Sequence, residues 1–103
     1  MIVEFSIAPV GKGESLSAAV AKIIAIVQKS ELHYQLTAMG TLVEGDANQI
    51  WPLLRRCHEA ARRDHRRVLT TIRLDDRAGA KNRLTEKVRS VERKLPRRRG
   101  RTK

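Results

Sequence analysis

Two kinds of hydrophobic period alternate along this 103-residue sequence, and their order constrains the fold more than any other feature. Residues 2–8 alternate between two sides, with Val3 and Phe5 on the same apolar side, which predicts a half-buried strand. Residues 16–30 repeat apolar positions at helical spacing after Ser15, a residue type that caps helix N-termini. The sequence therefore predicts a strand followed by a helix.

The middle of the chain predicts a hairpin and a second helix. Residues 33–38 and 41–44 are short extended runs on either side of a Met-Gly pair, which is typical of a tight hairpin. Either Asp46 or Asn48 is expected to cap the helix that follows, with Pro52 tolerated in or near its first turn. The apolar residues that share one face of this helix are Ile50, Leu54, Cys57 and Ala61.

The last third of the chain predicts a fourth strand over residues 67–75 and a third helix over residues 84–95, ended by Pro96. The order β-α-β-β-α-β, plus the extra helix, predicts an α+β fold of the ferredoxin-like kind. Its four-stranded antiparallel sheet would carry two helices on one face and leave the other face open. We predict one domain, residues 1–95, and a basic disordered tail, residues 96–103.

The positive charge of the chain is concentrated near its C-terminus. The formal net charge is +11, and residues 81–103 contribute 11 Lys/Arg against 2 acids, whereas residues 1–80 have 11 against 9. No aromatic residues for base stacking are interleaved with this basic segment. Weak, sequence-independent contact with nucleic acid and a merely solubilising role are both open interpretations of the tail.

Catalytic and metal-binding patterns are not recognisable in the sequence. His58 lies on the second helix, but a zinc protease would need another histidine where the chain has Arg62. Gly11 and Gly13 match neither the dinucleotide nor the P-loop spacing. Cys57 falls on the apolar helix stripe and is interpreted as a small core residue. We therefore predict no catalytic residues, no metal site and no enzyme.

The N-terminal segment and the aromatic content bear on compartment and assembly. Residues 1–11 lack the basic start and cleavage site of a signal peptide, and no apolar run approaches the ~20 residues of a membrane span. We expect a cytoplasmic protein that does not bind membranes. Only Phe5, Tyr34 and Trp51 are aromatic, so the core is thin and association with further copies of the chain is expected.

Several segments resemble one known family. MIVEFSIAPVGKGESLSAAVAKII, YQLTAMGTLVEG, HEAARRDHRRVLTTIRLDDR and EKVRSVERKL are similar, in this order, to the YkoF-like family of small prokaryotic thiamine-binding proteins. The combination of SIAPVGKGES with LTAMGT is specific, although the family pattern has proline where this chain has Ala38. The resemblance implies a ferredoxin-like fold, dimers or tetramers, no known reaction, and binding of thiamine or its hydroxymethylpyrimidine precursor.

The resemblance also directs attention to candidate binding residues. A site for thiamine needs hydroxyls or backbone groups for the aminopyrimidine, and a carboxylate or soft apolar surface for the cationic thiazolium. The candidate ligand-binding residues in or near the matching segments are Ser6, Ser15, Thr37, Met39, Thr41, Glu4 and Glu44. Each has an ordinary alternative: a helix cap for Ser15, hairpin packing for Met39, and cross-strand pairing for the two threonines.

The sequence thus predicts a non-catalytic, cytosolic, homo-oligomeric binding protein for thiamine or a related pyrimidine. Thiamine would be a bound ligand and not a coenzyme, because residues 45–48 resemble the magnesium motif of diphosphate-dependent enzymes only in their letters. No cofactor is predicted. The alternative is a nucleic-acid-associated protein that acts through the third helix and the basic tail.

Overall fold

The computed structural model describes residues 1–11, 16–79 and 83–96. The elements in these ranges are β1 (Ile2–Pro9), α1 (Leu16–Lys29), β2 (His33–Thr37), β3 (Gly40–Glu44), α2 (Ala47–Asp64), β4 (Val68–Asp75) and α3 (Arg83–Lys94). The predicted element order is confirmed, with ends that differ by one or two residues. The proposed cap Ser15 and the tail from residue 97 onward lie outside the described residues.

The four strands form one antiparallel sheet in the order β2-β3-β1-β4, the arrangement expected for a ferredoxin-like fold. Central strand β1 pairs with both β3 and β4, and Val3 lies opposite Val43 and Leu74. Side chains alternate between the two faces of a sheet. One face therefore carries Val3 and Phe5 towards α1 and α2, and the other carries Glu4.

The core lies between the sheet and the two helices α1 and α2. It is built from small and medium-sized apolar side chains on both layers: Val3, Phe5, Ile23, Val27, Val43, Ile50, Leu53, Leu54, Cys57, Ala60 and Ala61. Phe5 is the one aromatic residue in this set, in agreement with the thin core expected from the composition. Cys57 is fully buried among these residues, which confirms its interpretation as a core residue.

Helix α2 begins after Asp46, so the structure selects this residue over Asn48 as the N-cap. The backbone N–H of Asp46 donates to Oε1 of Gln49 at 2.9 Å, one half of a capping box. Pro52 is the sixth residue of α2 and so lies near the first turn, as expected from the sequence. Its missing N–H leaves the carbonyl oxygen of Asn48 without its usual partner, and both residues are exposed, so water can satisfy that group.

The expectation of an open second sheet face is wrong at one end, because α3 packs there. Leu84 is only 5% exposed, and its backbone N–H lies 3.4 Å from Oε1 of Glu44. Nζ of Lys87 contacts Oδ2 of Asp75 at 2.5 Å. The apolar side chains Ile2 and Leu42 line the space beneath the helix together with Leu84. Burial of these groups explains why the third helix folds back onto the sheet and does not project as an appendage.

Candidate functional site

A cleft opens between the β2–β3 hairpin, the second half of β1 and the N-terminal half of α1. It is called the hairpin cleft here and has a volume of about 240 Å³. It is lined by residues 5–8 of β1, residues 16, 20, 23 and 24 of α1, and residues 36–41 of the hairpin. Residues 6–8, from the segment SIAPVGKGES, and the hairpin LTAMGT meet in this cleft, and both segments carry the resemblance.

The walls of the hairpin cleft are mostly apolar. Leu16 and Val20 of α1 and Leu36 of β2 are all substantially exposed although they are large apolar side chains. Met39 at the hairpin tip is 83% exposed and also lines the cleft. None of the described lining residues is charged. Such a surface suits a flat ring or a soft organic cation.

The Thr37 hydroxyl lines the cleft but is fully engaged in the hairpin turn. It donates to the carbonyl oxygen of Gly40 at 2.8 Å and accepts the backbone N–H groups of Met39 and Gly40, each at 3.1 Å. One donor and two acceptor positions are all that a hydroxyl has. Thr37 therefore shapes the hairpin, and a ligand could reach its hydroxyl only by displacing one of these bonds.

Gly40 permits the close approach of the hairpin to the central strand. A Cβ at this position would lie 2.9 Å from the carbonyl oxygen of Phe5, closer than such atoms approach in proteins. The glycine of the LTAMGT segment is thus needed because a side chain would not fit there, which the sequence alone does not reveal. It brings the hairpin and β1 together at the floor of the cleft.

Thr41 and Ser6 are the other two hydroxyl-bearing residues of the cleft. Thr41 is 5% exposed and lies opposite Phe5 and Leu36 in the sheet, so it shares their helix-facing side. Its hydroxyl has no hydrogen-bond partner among the described residues. Ser6 is exposed at the edge of the cleft. Ser6 alternates with Phe5, so its hydroxyl belongs to the opposite face of the sheet. The Thr41 hydroxyl is therefore the side-chain group best placed to meet a polar ligand.

The two carboxylates predicted for the site lie elsewhere. Oε1 of Glu4 pairs with Nε of Arg73 at 3.2 Å on the sheet face that α3 partly covers. Glu44 lies on that face too, where it accepts from the backbone of Leu84. Glu4 lines a separate cavity of about 400 Å³ between the sheet and α3, called the α3 cavity below. Neither carboxylate lines the hairpin cleft.

The seven candidate residues are therefore not brought together at one site. Four of them line the hairpin cleft, namely Ser6, Thr37, Met39 and Thr41. Glu4 and Glu44 lie at the other face, and Ser15 lies outside the described residues. Sequence reasoning missed the α1 wall, Leu16, Val20 and Ile24. A signal for this wall was present in the sequence: the apolar stripe of α1 is wider than its two buried residues, Ile23 and Val27, require.

His58 has a structural contact. Its Nδ1 lies 2.6 Å from Oγ1 of Thr70, which joins α2 to β4 beneath the helix layer. In the described ranges no group of three or more His, Cys, Asp or Glu side chains is arranged to hold a metal ion.

A family model described as thiamine-binding protein matches residues 3–92. The chain belongs to this family. The match includes β1 and the β2–β3 hairpin, the two parts of the sheet that line the hairpin cleft. It ends within α3. The family name denotes ligand binding and not a catalysed reaction, and it supports a small-molecule-binding role for this protein.

Relatives of similar length occur in archaea and bacteria. The UPF0045 protein MJ1052 of Methanocaldococcus jannaschii is 33% identical over 91 residues, which are 88% of this chain and 91% of the relative. The UPF0045 protein YqgV of Bacillus subtilis is 36% identical over 100 residues, covering 91% of this chain and 96% of the relative.

Solved structures support the fold. The crystal structure of MJ1052 superposes with a TM-score of 0.82 and covers 88% of this chain and 94% of that one. A protein of Thermotoga maritima, TM0486, provisionally assigned to thiamine biosynthesis or salvage, gives a TM-score of 0.78 at 19% identity over 87% of this chain and 96% of that one. At that identity the likeness supports the fold alone. None of the helices in the described ranges has the length and apolar character to cross a membrane.

Proposed function

We propose that this protein is a non-catalytic, cytosolic, homo-oligomeric carrier or buffer of thiamine or its hydroxymethylpyrimidine precursor, and that the hairpin cleft holds the ligand. One observation carries the proposal: the two segments that carry the resemblance, in β1 and in the β2–β3 hairpin, line the same apolar cleft. Segments far apart in sequence are brought together there around a concave surface, as a ligand site requires.

The chemistry of the cleft favours a neutral ring inside and a soft cation at the mouth. The hydroxyl of Thr41 can hydrogen-bond an aminopyrimidine, and the exposed thioether of Met39 can lie against the thiazolium. The cleft, at about 240 Å³, is smaller than sites for drug-sized ligands, which run from about 300 Å³ upward. It therefore suits one buried ring with the second ring nearer solvent.

The charge of the cleft argues for thiamine over its diphosphate. A diphosphate group needs cationic or backbone donors, and the described lining residues include no Lys or Arg. We therefore expect the order of affinity to be thiamine, then the free pyrimidine, then thiamine diphosphate. The pyrimidine alone would lose the contact between the thiazolium and Met39.

Calorimetric titration of the three ligands tests this proposal, with one cleft-filling variant and one matched control. Val20 lines the hairpin cleft, and Val20→Phe should fill it and abolish binding. Leu42 lines the α3 cavity, and Leu42→Phe adds bulk there and should leave the affinity unaltered. Loss of binding in the Leu42 variant alone would move the site to the α3 cavity. Absence of binding by the wild-type protein would refute the ligand assignment.

Self-association is supported by the surface of α3. Its side chains Val88, Val91 and Leu95 are exposed although they form one apolar stripe at helical spacing. Leu69 on edge strand β4 is exposed as well. Exposed apolar side chains that recur along one helix face are typical of surfaces buried between subunits.

A further inference from the structure

The charge of the folded body is unevenly distributed, although residues 1–80 are close to neutral in sum. Six arginines lie on α2 and in the loop that follows it, and all six are exposed: Arg55, Arg56, Arg62, Arg63, Arg66 and Arg67. We call this set the arginine face. Glu59 and Asp64 are the only acids within the same stretch, residues 55–67. The near-neutral sum over residues 1–80 does not show this local excess of positive charge.

The spacing of the arginines on α2 places them in rows on one side of the helix. Arg55 and Arg62 are seven residues apart, as are Arg56 and Arg63, and seven residues are nearly two helical turns. Each pair is therefore separated by about 10 Å along the helix axis. The buried side chains of α2 occupy the opposite side, so the rows face away from the core.

Most of these guanidinium groups are available for a partner. Nε of Arg55 pairs with Oε2 of Glu59 at 3.0 Å, and Asp64 is held by Lys22. Lys22 also lowers the pKa of the Asp64 carboxyl. Within the described part of the chain no carboxylate pairs with Arg56, Arg63, Arg66 or Arg67. Exposed guanidinium groups that have no carboxylate partner are free to bind and neutralise phosphate groups.

Helix stability explains only part of the arginine face. Basic residues in the last turn interact favourably with the helix dipole, and this accounts for Arg62 and Arg63. Arg55 and Arg56 lie in the middle of α2, where the dipole contributes nothing. Arg66 and Arg67 follow the helix. Arg55 is accounted for by its pairing with Glu59, four residues along the helix. Arg56, Arg66 and Arg67 therefore need another reason.

A groove and an aromatic side chain accompany the arginines. Arg56 and Arg63 line a groove of about 410 Å³ between α1 and α2, together with Lys29 of α1. Glu59 lines it as well, and its carboxylate is paired with Arg55. Trp51 lies one turn before Arg55 on the same side of α2 and is 50% exposed. Aromatic side chains beside a cationic track are the recurrent elements of surfaces that bind single-stranded nucleic acid.

We propose that the arginine face binds the phosphate backbone of single-stranded nucleic acid, with Trp51 as a platform on which one base stacks. Guanidinium groups bind phosphate oxygens through two parallel hydrogen bonds, which an all-arginine surface favours. Binding would depend on charge and stacking and would be insensitive to sequence. The surface lies on the helix layer and shares no residue with the hairpin cleft, so this activity is independent of ligand binding.

Fluorescence anisotropy of a labelled single-stranded oligonucleotide of about 16 nucleotides tests the proposal on the full chain. Arg56→Gln/Arg63→Gln should weaken binding about tenfold and reduce the slope of log affinity against log salt by about 1.4, because two phosphate contacts are lost. The matched control is Arg89→Gln/Arg93→Gln, which removes the same charge from α3 and should change the affinity less than twofold. Trp51→Ala should weaken binding severalfold with the salt slope unchanged.

Several outcomes would overturn the proposal. Equal losses in the two double variants would show that binding follows net charge or the tail and not the arginine face. Absence of binding by the wild-type protein at low salt would refute it outright. Preferential binding to vesicles of anionic phospholipid over the oligonucleotide would assign the face to a membrane surface. Unaltered affinity in Trp51→Ala would contradict the stacking role. Matching thermal midpoints of all variants exclude unfolding as the cause.

Discussion

The hydroxyl of Thr37 donates to the carbonyl oxygen of Gly40 at 2.8 Å and thereby closes the hairpin that forms one wall of the cleft. The same hydroxyl accepts two backbone N–H groups, so it is the centre of the turn. Thr37 lies in a segment that carries the resemblance, but its hydroxyl stabilises the hairpin turn and is not free to contact a ligand. The roles of the hydroxyls in this cleft can be separated by substitution.

Removal of the Thr37 hydroxyl should loosen the hairpin. We expect Thr37→Val to lower the free energy of unfolding by about 0.5–1.5 kcal/mol, because the turn loses the hydrogen bonds of this hydroxyl and only water can replace them. Thr37→Ser keeps the hydroxyl and should stay within about 0.5 kcal/mol of the wild-type protein. Urea denaturation measures both. Equal stability of the valine and serine variants would contradict this role for the hydroxyl.

The Thr41 hydroxyl should behave in the opposite way. It is buried, lines the cleft and has no partner among the described residues, so Thr41→Val should cost little stability. If this hydroxyl bonds the aminopyrimidine, the same change should weaken thiamine binding about tenfold, the equivalent of about 1.4 kcal/mol. Thr71→Val on the other sheet face is the matched control. Calorimetry that finds equal affinities in both variants would remove Thr41 from the site.

Cys57 should be chemically inert in the folded protein. Burial raises the pKa of its thiol from 9.0 to about 11, an effect that nearby Arg56 partly opposes. Little thiolate forms at pH 8, so a disulfide reagent should react only after denaturant is added. Rapid reaction of the native protein at pH 8 would contradict this burial.

The raised pKa of Cys57 also determines how the free energy of unfolding changes with pH. A pKa raised on folding means that the unfolded chain loses this proton first, so the contribution of Cys57 to stability is complete below pH 9. The contribution is lost as the pH rises from about 9 towards 11. Cys57→Ala should show a shallower decline in the free energy of unfolding over this window than the wild-type protein. Parallel curves for the two proteins would contradict the shift.

The exposed stripe of α3 should hold subunits together. Val91→Glu places a charge in the middle of the stripe formed with Val88 and Leu95 and should convert oligomers into monomers. Arg93→Glu makes a larger charge change off the stripe and should leave the oligomer intact. Analytical ultracentrifugation distinguishes these cases. A monomeric wild-type protein, or dissociation of the Arg93 variant alone, would contradict this interface.

The sequence predicted the element order because the two hydrophobic periods are clean. Val3 and Phe5 alternate with Glu4, and Ile23 and Val27 follow helical spacing, so strand and helix were distinguishable without tertiary information. The resemblance then supplied the family, which the family model confirms. The position of α3 was not predictable, because the apolar face of a lone helix does not specify the surface that buries it.

The candidate site was predicted in part, and strand alternation explains most of the error. Thr41 and Leu42 are neighbours in sequence but lie on opposite faces of β3, so proximity to a motif does not place a side chain in the cleft. Glu4 and Glu44 were chosen for their charge, yet both lie on the face that α3 partly covers. The α1 wall was missed because its exposed side chains resemble those of an ordinary core stripe.

The most direct test of ligand binding in the hairpin cleft uses the two methionines of the chain, Met1 and Met39. Met39 lines the cleft, whereas Met1 packs against the core, so the two methyl groups report on separate places. Thiamine should be titrated into the protein labelled with ¹³C at the methionine methyl groups. We predict a saturable shift of the Met39 resonance with Met1 unmoved. A saturating titration that leaves Met39 unmoved, or moves Met1 alone, would contradict the central claim.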